Sequence, residues 1–390
     1  MSSGVFSFAT GMLRRRFRPR KPPDIGPIVV LDDFFPNVYS GFRIAEYNAF
    51  LQRYANLTVY STSPEFASDH AEYARRYPAL AHRVRPFDHA VIRGASLAWI
   101  MFLFNAYKCL PFLEAAGVPF VFSLNPGGAF GLNEPASDAM LDPILASKML
   151  RQIIVTQDIT RTYLIERGVP PHKITLIYGG VMNARYVDEK APSRAYYPKK
   201  PLLDVAFVAH KYMPQAPNKG FPDFCRLAAN LAGDPAFAWH VAGHGFSDDD
   251  WPAALTRPDR FTFEGLLESK TTLWEFLRGV DIIVSPQRPF LLHQGNFDSF
   301  PTLGVVEASL QGAVMVCYDV LGMNHYYRDS VEIVVSPPDV DQLTSAVLRL
   351  KNDPKRMVSL AKAGQRRSRK LFSTSIQLGT RQKILERFAR

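Results

Sequence analysis

Short apolar runs rich in Val, Ile and Phe alternate along the chain with longer segments whose apolar positions recur at a helical period. In the first half of the chain, the pattern predicts strands at Ile28–Leu31, Leu57–Tyr60, His89–Ile92, Phe120–Phe122, Gln152–Thr156 and Ile174–Tyr178. It predicts helices at Gly41–Leu51, Leu97–Leu113 and Asp158–Glu166. Strands and helices that alternate at this spacing indicate βαβ units and a parallel sheet.

The alternation stops between residues 188 and 201, where a charged, proline-rich segment without any period is typical of a linker. It then restarts with a second series of strands and helices. The predicted strands are Val205–Val208, Ala238–Val241, Phe261–Phe263, Asp281–Val284, Val314–Cys317 and Val331–Val335. The predicted helices are Phe221–Leu231, Thr272–Leu277, Leu303–Leu310 and Val340–Leu350.

The predicted fold class is therefore α/β, with two doubly wound, Rossmann-like domains that face a cleft. The segments are a basic flexible tail (1–23), an N-terminal domain (24–190), a linker (191–200), a C-terminal domain (201–372) and a C-terminal helix (373–390) that packs back on the N-terminal domain. In such sheets, ligands bind beyond the carboxyl ends of the strands.

Composition supports packed domains and excludes several protein classes. The chain has 390 residues and 47% apolar residues, which excludes a disordered chain despite its 30 prolines. Its three cysteines are scattered and form no CxxC pair, which argues against a disulfide framework or a cysteine zinc site. The longest strongly apolar run, Gly94–Tyr107, is shorter than the ~20 residues of a membrane span. Together with the lack of a signal-peptide pattern, this predicts a cytoplasmic protein.

The net charge of +10 is concentrated at the two ends of the chain. Residues 1–30 carry six basic and one acidic side chain, and residues 351–390 carry twelve basic and two acidic ones, so residues 31–350 sum to −5. An acidic folded body does not favour a nucleic-acid partner. Basic clusters are often only solvated surfaces, but the tail at residues 14–21 is also suited to an anionic membrane surface, which predicts a peripheral position on the inner face of a membrane.

The segment NFDSFPTLGVVEA (296–308) carries the most informative polar pattern. Asp298 or Ser299 is a predicted helix N-cap, with Pro301 near the first helical position. The free N–H groups from Ser299 through Phe300 and Thr302 then form an anion site. Glu307 follows on the same helix face, on the order of 10 Å from its start. This spacing matches a diphosphate and its ribose, although a plain capped helix explains it too.

A second cationic pattern follows the first strand of the C-terminal domain. His210 and Lys211 end that strand, and Lys219 with Gly220 precedes the next helix. Lysine is a compact charge suited to phosphate, although ordinary surface lysines are the simpler alternative. Because both patterns follow strands of one predicted sheet, their coincidence favours an anion-binding site.

These residues resemble the glycosyltransferases of the two-domain GT-B fold, especially family 4, over roughly residues 28–372. The resemblance is carried by FVAHKYMPQAPNKGF (207–221), HVAGHGF (240–246), FTFEGLLESKTTLWEFLRGVDIIVSP (261–286), NFDSFPTLGVVEASLQGAVMV (296–316) and, in the N-terminal domain, IIVTQDITRTYLIERGVPPHKITLIYGGV (153–181). PFVFSLNPGGAFGL (119–132) is similar to a subset that acts on bacterial surface polysaccharides. The chain departs from the family in carrying Ser299 where the first acidic residue of the motif is usual, so that Asp298 is the nearest carboxylate.

The resemblance implies a retaining transfer from a UDP-, GDP- or dTDP-sugar to a saccharide or lipid-linked acceptor, in cell-surface polysaccharide synthesis and without metal or cofactor. The implied catalytic residues are Asp298 at the donor sugar, Lys219 at the diphosphate and Glu307 at the ribose. The implied donor-binding residues are His210, Lys211, Gly41, Gly243, Gly245, Glu264, Gly265, Ser299, Phe300 and Thr302. The implied residues on the acceptor or sugar side are Asn125, Gly127 and Gly128.

Two other functions stay open at this point. One is an epimerase or an inverting transferase of the same fold; the inverting transferase would need a general base in the N-terminal domain, for which Asp88 and His89 are candidates. A non-catalytic protein that binds a nucleotide sugar is also compatible with the altered acidic motif.

Overall fold

A computed structural model describes residues 25–188, 193–267 and 270–390. The N-terminal domain contains a seven-stranded parallel sheet with strand order β3-β2-β1-β4-β5-β6-β7. The strands are β1 Ile28–Asp32, β2 Leu57–Ser61, β3 Val84–Pro86, β4 Leu97–Met101, β5 Phe120–Leu124, β6 Leu150–Val155 and β7 Ile174–Leu176. The helices are α1 Gly41–Arg53, α2 Phe66–Arg76, α3 Pro78–Ala81, α4 Leu103–Ala116, α5 Pro135–Ala146, α6 Asp158–Glu166 and α7 Ala184–Asp188.

The C-terminal domain contains a six-stranded parallel sheet with strand order β10-β9-β8-β11-β12-β13. The strands are β8 Leu203–Val208, β9 Phe237–Ala242, β10 Phe261–Gly265, β11 Ile282–Ser285, β12 Val314–Tyr318 and β13 Val334–Ser336. The helices are α8 Phe221–Asn230, α9 Lys270–Gly279, α10 Leu303–Leu310, α11 Val340–Asn352, α12 Pro354–Leu371 and α13 Thr374–Phe388.

Both sheets are doubly wound, which confirms the predicted fold class. The chain runs outward from the first strand of each sheet and then crosses back, so the order reverses between β1 and β4 and again between β8 and β11. These reversals are topological switch points, where loops on either side leave a crevice at the carboxyl edge of the sheet. The central strands are buried throughout, β1 and β4 along all five residues, as parallel strands covered by helices on both faces require.

Three local predictions are wrong. The segment Leu97–Leu113 is not one helix, because its first five residues form the central strand β4 and the helix begins at Leu103. The predicted strand at His89–Ile92 is a 3-10 turn, and the nearby strand is β3. Neither Asp298 nor Ser299 caps α10, because its N-cap is Thr302, so Pro301 precedes the helix.

The C-terminal helix α13 packs against the N-terminal domain. Arg381 forms a buried ion pair with Glu46 of α1, with 3.0 Å between Nε and Oε2. The amide of Gln377 donates to the carbonyl of Tyr178, just after β7, at 2.7 Å. The predicted basic tail (1–23) lies outside the described residues. In the described ranges, no helix is both long and apolar enough to cross a membrane.

Candidate functional site: the switch point of the second sheet

The switch point of the C-terminal sheet brings together the two loops that the sequence singled out. Lys219 lies in the loop after β8 and Asp298 in the loop after β11, on the two sides of the reversal in strand order. Their side chains form an ion pair with 2.6 Å between Nζ and Oδ2. The Lys219 side chain is only 10% exposed, against 31% for Asp298, so the pair presents its carboxylate side to solvent. The arrangement places a cation and an anion at the position where doubly wound domains bind ligands.

The backbone around Lys219 requires the glycine that follows it. Lys219 ends a 3-10 turn, and Gly220 then takes a φ of +77° before α8 begins. A Cβ at Gly220 would lie 1.8 Å from the carbonyl oxygen of Pro286, which follows β11. The two switch-point loops therefore touch through backbone at this point, and only glycine permits that approach.

Lys211 lies near this site but has a carboxylate partner of its own. Its ammonium group contacts both carboxylate oxygens of Asp250, at 2.8 and 2.9 Å. Its backbone N–H donates to the carbonyl of His244 in the glycine-flanked turn after β9. Lys211 is therefore held by Asp250 and does not share the carboxylate of Asp298. In the same loop, burial lowers the pKa of His210, and the charges of His244 and Lys219 lower it further.

Glycines at the ends of β9 and β10 allow close backbone contacts at the carboxyl edge of the sheet. Gly243 has a φ of +137°, and a Cβ there would lie 1.6 Å from the carbonyl oxygen of Ala209. Its N–H donates to the carbonyl of Gly265, which has a φ of +66°. Gly245, with a φ of +88°, leaves room for the side chain of Lys211 at 3.3 Å from its ideal Cβ position.

Glu264, which the resemblance assigns to the donor, is engaged by a histidine. The imidazole of His240 lies between two carboxylates, with Nδ1 2.9 Å from Oε1 of Glu264 and Nε2 2.9 Å from Oδ1 of Asp204. Burial lowers the pKa of His240, but the hydrogen bonds and charges of the two carboxylates outweigh it and leave that pKa above its usual value. The triad fixes the end of β10, immediately before Gly265.

This triad predicts a pH dependence of stability. Because the folded-state pKa of His240 lies above its unfolded value of 6.5, its contribution to the free energy of unfolding is present below that value and decreases as pH rises through the folded pKa. We expect urea unfolding between about pH 5.5 and 8.5 to show this loss, and His240→Gln to flatten it. Asp204 has a lowered pKa and acts only at more acidic pH, since its contribution is lost as pH falls below 3.8. If the free energy of unfolding of His240→Gln still falls with pH over this range, the titrating group is not His240.

Glu307 and the residues before α10 complete the second-domain side of the site. Glu307 is buried on α10. The backbone carbonyl of the N-cap residue Thr302 accepts the N–H of Val306 at 3.0 Å. Ser299 is partly exposed, whereas Phe300 is buried. In the described ranges, no group of three or more His, Cys, Asp and Glu side chains is placed to hold a metal ion.

Three residues that the sequence analysis did not propose line a pocket beside Asp298. Asn218 and Tyr318 are buried, and their Oδ1 and hydroxyl oxygen have no hydrogen-bond partner within the described part of the chain. Arg288 lies next to them and pairs with Asp223 at 2.7 Å. The pocket has about 360 Å³ of empty volume, part of it open to solvent. These three residues come from separate segments, namely the turn after β8, the loop after β11 and the end of β12. Local sequence patterns therefore offer no signal for Arg288 or Tyr318, while Asn218 directly precedes Lys219.

Comparisons with known proteins bear on the fold of the chain. A family model described as glycosyl transferase-like matches residues 223–377. No curated protein matches the sequence. Among solved structures, HepE from Anabaena in complex with UDP has a TM-score of 0.70 at 14% identity, over 93% of this chain and 100% of that one. A glycosyltransferase from Rickettsia africae has a TM-score of 0.67 at 12% identity, over 93% and 98%. A UDP-forming α,α-trehalose-phosphate synthase from Burkholderia vietnamiensis has a TM-score of 0.61 at 13% identity, over 93% and 100%.

This chain has the GT-B fold. In the GT-B arrangement, the N-terminal domain meets the start of α10 directly. Gly41 is the first residue of α1, and its neighbour Phe42 lies beside Gly180, with 3.6 Å between the Phe42 Cβ and an ideal Cβ at Gly180. The Leu303 side chain lies 3.1 Å from the same Cβ position. The first turns of α1 and α10 therefore come together at Gly180.

The turn after β5 carries the residues that the resemblance assigns to the acceptor or sugar side. Asn125 lies in this turn, and its Oδ1 is buried without a hydrogen-bond partner among the described residues. Gly127 and Gly128 follow with positive φ angles of 86° and 58°. A Cβ at Gly128 would lie 2.5 Å from Phe102, which comes directly after β4, so this position requires glycine.

The two candidate bases of an inverting mechanism are engaged locally. The carboxylate of Asp88 accepts the N–H of Ala90 and caps the 3-10 turn at 3.1 Å. The ring of His89 stacks on Phe112 of α4, with 4.0 Å between the ring centroids. Both side chains therefore have a structural role in the loop between β3 and β4.

Proposed function

We propose that this protein transfers a glycosyl group from a nucleotide sugar to a hydroxyl group of a saccharide or lipid-linked acceptor, with retention of anomeric configuration, in the synthesis of a cell-surface polysaccharide. The observation that carries the proposal is the ion pair between Lys219 and Asp298 at the switch point of the second sheet. A cation suited to a diphosphate and a carboxylate suited to a sugar lie side by side there, with Asp298 in the loop that leads into α10.

The chemistry follows from where charge develops in the reaction. As the glycosidic bond breaks, negative charge grows on the diphosphate of the leaving group. Lys219 and the N–H groups at the start of α10 stabilise that charge, and each such donor contributes about 3 kcal/mol in the transition state. Asp298 orients the donor sugar and favours its positive charge. Glu307 accepts hydrogen bonds from the ribose hydroxyls.

The choice of a uridine nucleotide is supported by the structural neighbours. HepE was solved with UDP, with UDP-glucose, and with UDP and glucose. The trehalose-phosphate synthase is described as UDP-forming. We therefore place a UDP-sugar first among the UDP-, GDP- and dTDP-linked donors.

A thermal-stability screen tests the donor class. At a UDP concentration near 100 times Kd, binding to the folded state adds about 2.7 kcal/mol to the free energy of unfolding, which is readily measured as a rise in Tm. We expect UDP-sugars to raise Tm more than GDP- or dTDP-sugars at equal concentration. Equal shifts from all three, or none, would contradict the proposed donor. Once an active donor is identified, NMR of the transfer product gives its anomeric configuration. A product with inverted configuration would exclude the proposed retaining mechanism.

A further inference from the structure

Phe300, two residues after Asp298, hydrogen-bonds to side chains of the N-terminal domain through both its backbone N–H and its backbone carbonyl. The hydroxyl of Tyr178, which follows β7, donates to the Phe300 carbonyl at 2.6 Å in a buried position. The Phe300 N–H donates to Oε1 of Gln157, which precedes α6, at the longer distance of 3.4 Å. The backbone between Asp298 and α10 is therefore held by side chains of the N-terminal domain.

The position of Tyr178 is held by contacts other than its hydrogen bond to Phe300. Its ring lies against Tyr326, with 4.0 Å between centroids, and near Phe372 at 5.9 Å. Its carbonyl accepts the amide of Gln377 from α13. Burial raises the pKa of Tyr178 well above its usual value, so the hydroxyl stays protonated and acts as a donor. Little conformational freedom remains to be lost when the hydroxyl bonds to Phe300.

The same loop is also attached on the other side of Asp298. The N–H of Leu132 donates to the carbonyl of Gly295 at 2.9 Å. His293 pairs with Glu134, which comes just before α5, at 3.1 Å. The ring of Phe297 packs edge-on against Phe130. Asp298 thus lies between two attachments to the N-terminal domain, although it belongs to the C-terminal domain.

We infer that Tyr178, assisted by Gln157, is a positioning residue that places Asp298 for reaction when the two domains are together. The inference rests on the proposed function, because the role of Asp298 in sugar transfer does. If the domains separate, the loop loses its hydrogen bonds to Tyr178 and Gln157, whereas the ion pair between Asp298 and Lys219 lies within the C-terminal domain and can persist. The N-terminal domain therefore controls the geometry of the donor site as well as receiving the acceptor.

Tyr178→Phe tests this role with minimal disturbance, because it removes only the hydroxyl and keeps the ring packing. Tyr327→Phe is the matched control: its hydroxyl is also buried, but it bonds to Ser368 at 2.9 Å within the C-terminal domain. We expect kcat of Tyr178→Phe to fall about ten-fold, with the Kd for UDP within two-fold of the unmodified chain. Tyr327→Phe should keep its kcat, even if its Tm falls by a similar amount.

Hydrogen exchange gives a readout that does not depend on turnover. We expect the backbone amides of residues 296–303 to exchange faster in Tyr178→Phe and at the unmodified rate in Tyr327→Phe. The inference would be overturned if Tyr178→Phe changed neither the exchange rates of residues 296–303 nor kcat. It would also be overturned if Tyr178→Phe and Tyr327→Phe lowered kcat equally. If the unmodified chain transfers no sugar from any donor, the proposed function fails, and the exchange rates still decide whether Tyr178 holds this loop.

Discussion

Lys219→Met is expected to lower kcat of sugar transfer by about 100- to 1,000-fold, the cost of removing one preorganised charge from a developing oxyanion. The Lys219 ammonium group lies in a poorly solvated position, where its field on a diphosphate is screened less than at the surface. Methionine keeps most of the side-chain volume, so the loss reports the charge. The measurement is steady-state turnover of the donor identified by the stability screen.

Lys351→Met is a suitable control for this variant. Lys351 also pairs with an aspartate, Asp234, but that pair lies before β9, at the amino edge of the same sheet. We expect its kcat to remain within about two-fold of the unmodified enzyme, because surface ion pairs contribute little. Equal turnover by Lys219→Met and Lys351→Met would rule out the proposed role of Lys219.

The strand-and-helix pattern of this chain was readable from sequence because parallel strands and amphipathic helices impose strong periods on it. The prediction for α10, Leu303–Leu310, agrees with the structure at both ends. The error at Leu97–Leu113 has a physical cause. The central strand β4 is apolar on both faces and runs almost directly into an apolar helix, so no change of period marks the boundary.

The sequence predicts the individual residues of the candidate site, but not the contact between Lys219 and Asp298. Lys219 and Asp298 are both proposed from the sequence, with Asp298 at the donor sugar and also as a candidate helix cap, but no local pattern relates the two side chains to each other. In the structure its carboxylate pairs with a lysine 79 residues away, because β8 and β11 are neighbours in the sheet. The bond between Tyr178 and Phe300 spans 122 residues and depends on how the two domains meet, which no local pattern encodes.

The ion pair between Arg381 and Glu46 also joins residues that are far apart in the sequence. We expect its disruption to cause the largest loss of stability among the variants proposed for this protein. Both residues are almost fully buried, at 2% and 1% exposure, where α13 crosses α1. Burial raises the pKa of Glu46, while Arg381 and the indole N–H of Trp99, bonded at 3.0 Å, favour its charged form. Arg381→Met leaves that carboxylate without its cation and should lower the free energy of unfolding by about 3–5 kcal/mol.

Urea unfolding at pH 7 measures this effect, and Arg53→Met provides a matched control between the same two helices. The Arg53–Glu386 pair is also close, at 2.8 Å, but its side chains are 28% and 22% exposed, so we expect a loss of only about 1 kcal/mol or less. Adding Glu46→Gln to Arg381→Met should recover part of the stability, because it removes the unpaired charge and keeps an acceptor for Trp99. Similar losses for Arg381→Met and Arg53→Met would mean that α13 is held by its apolar contacts and not by this buried pair.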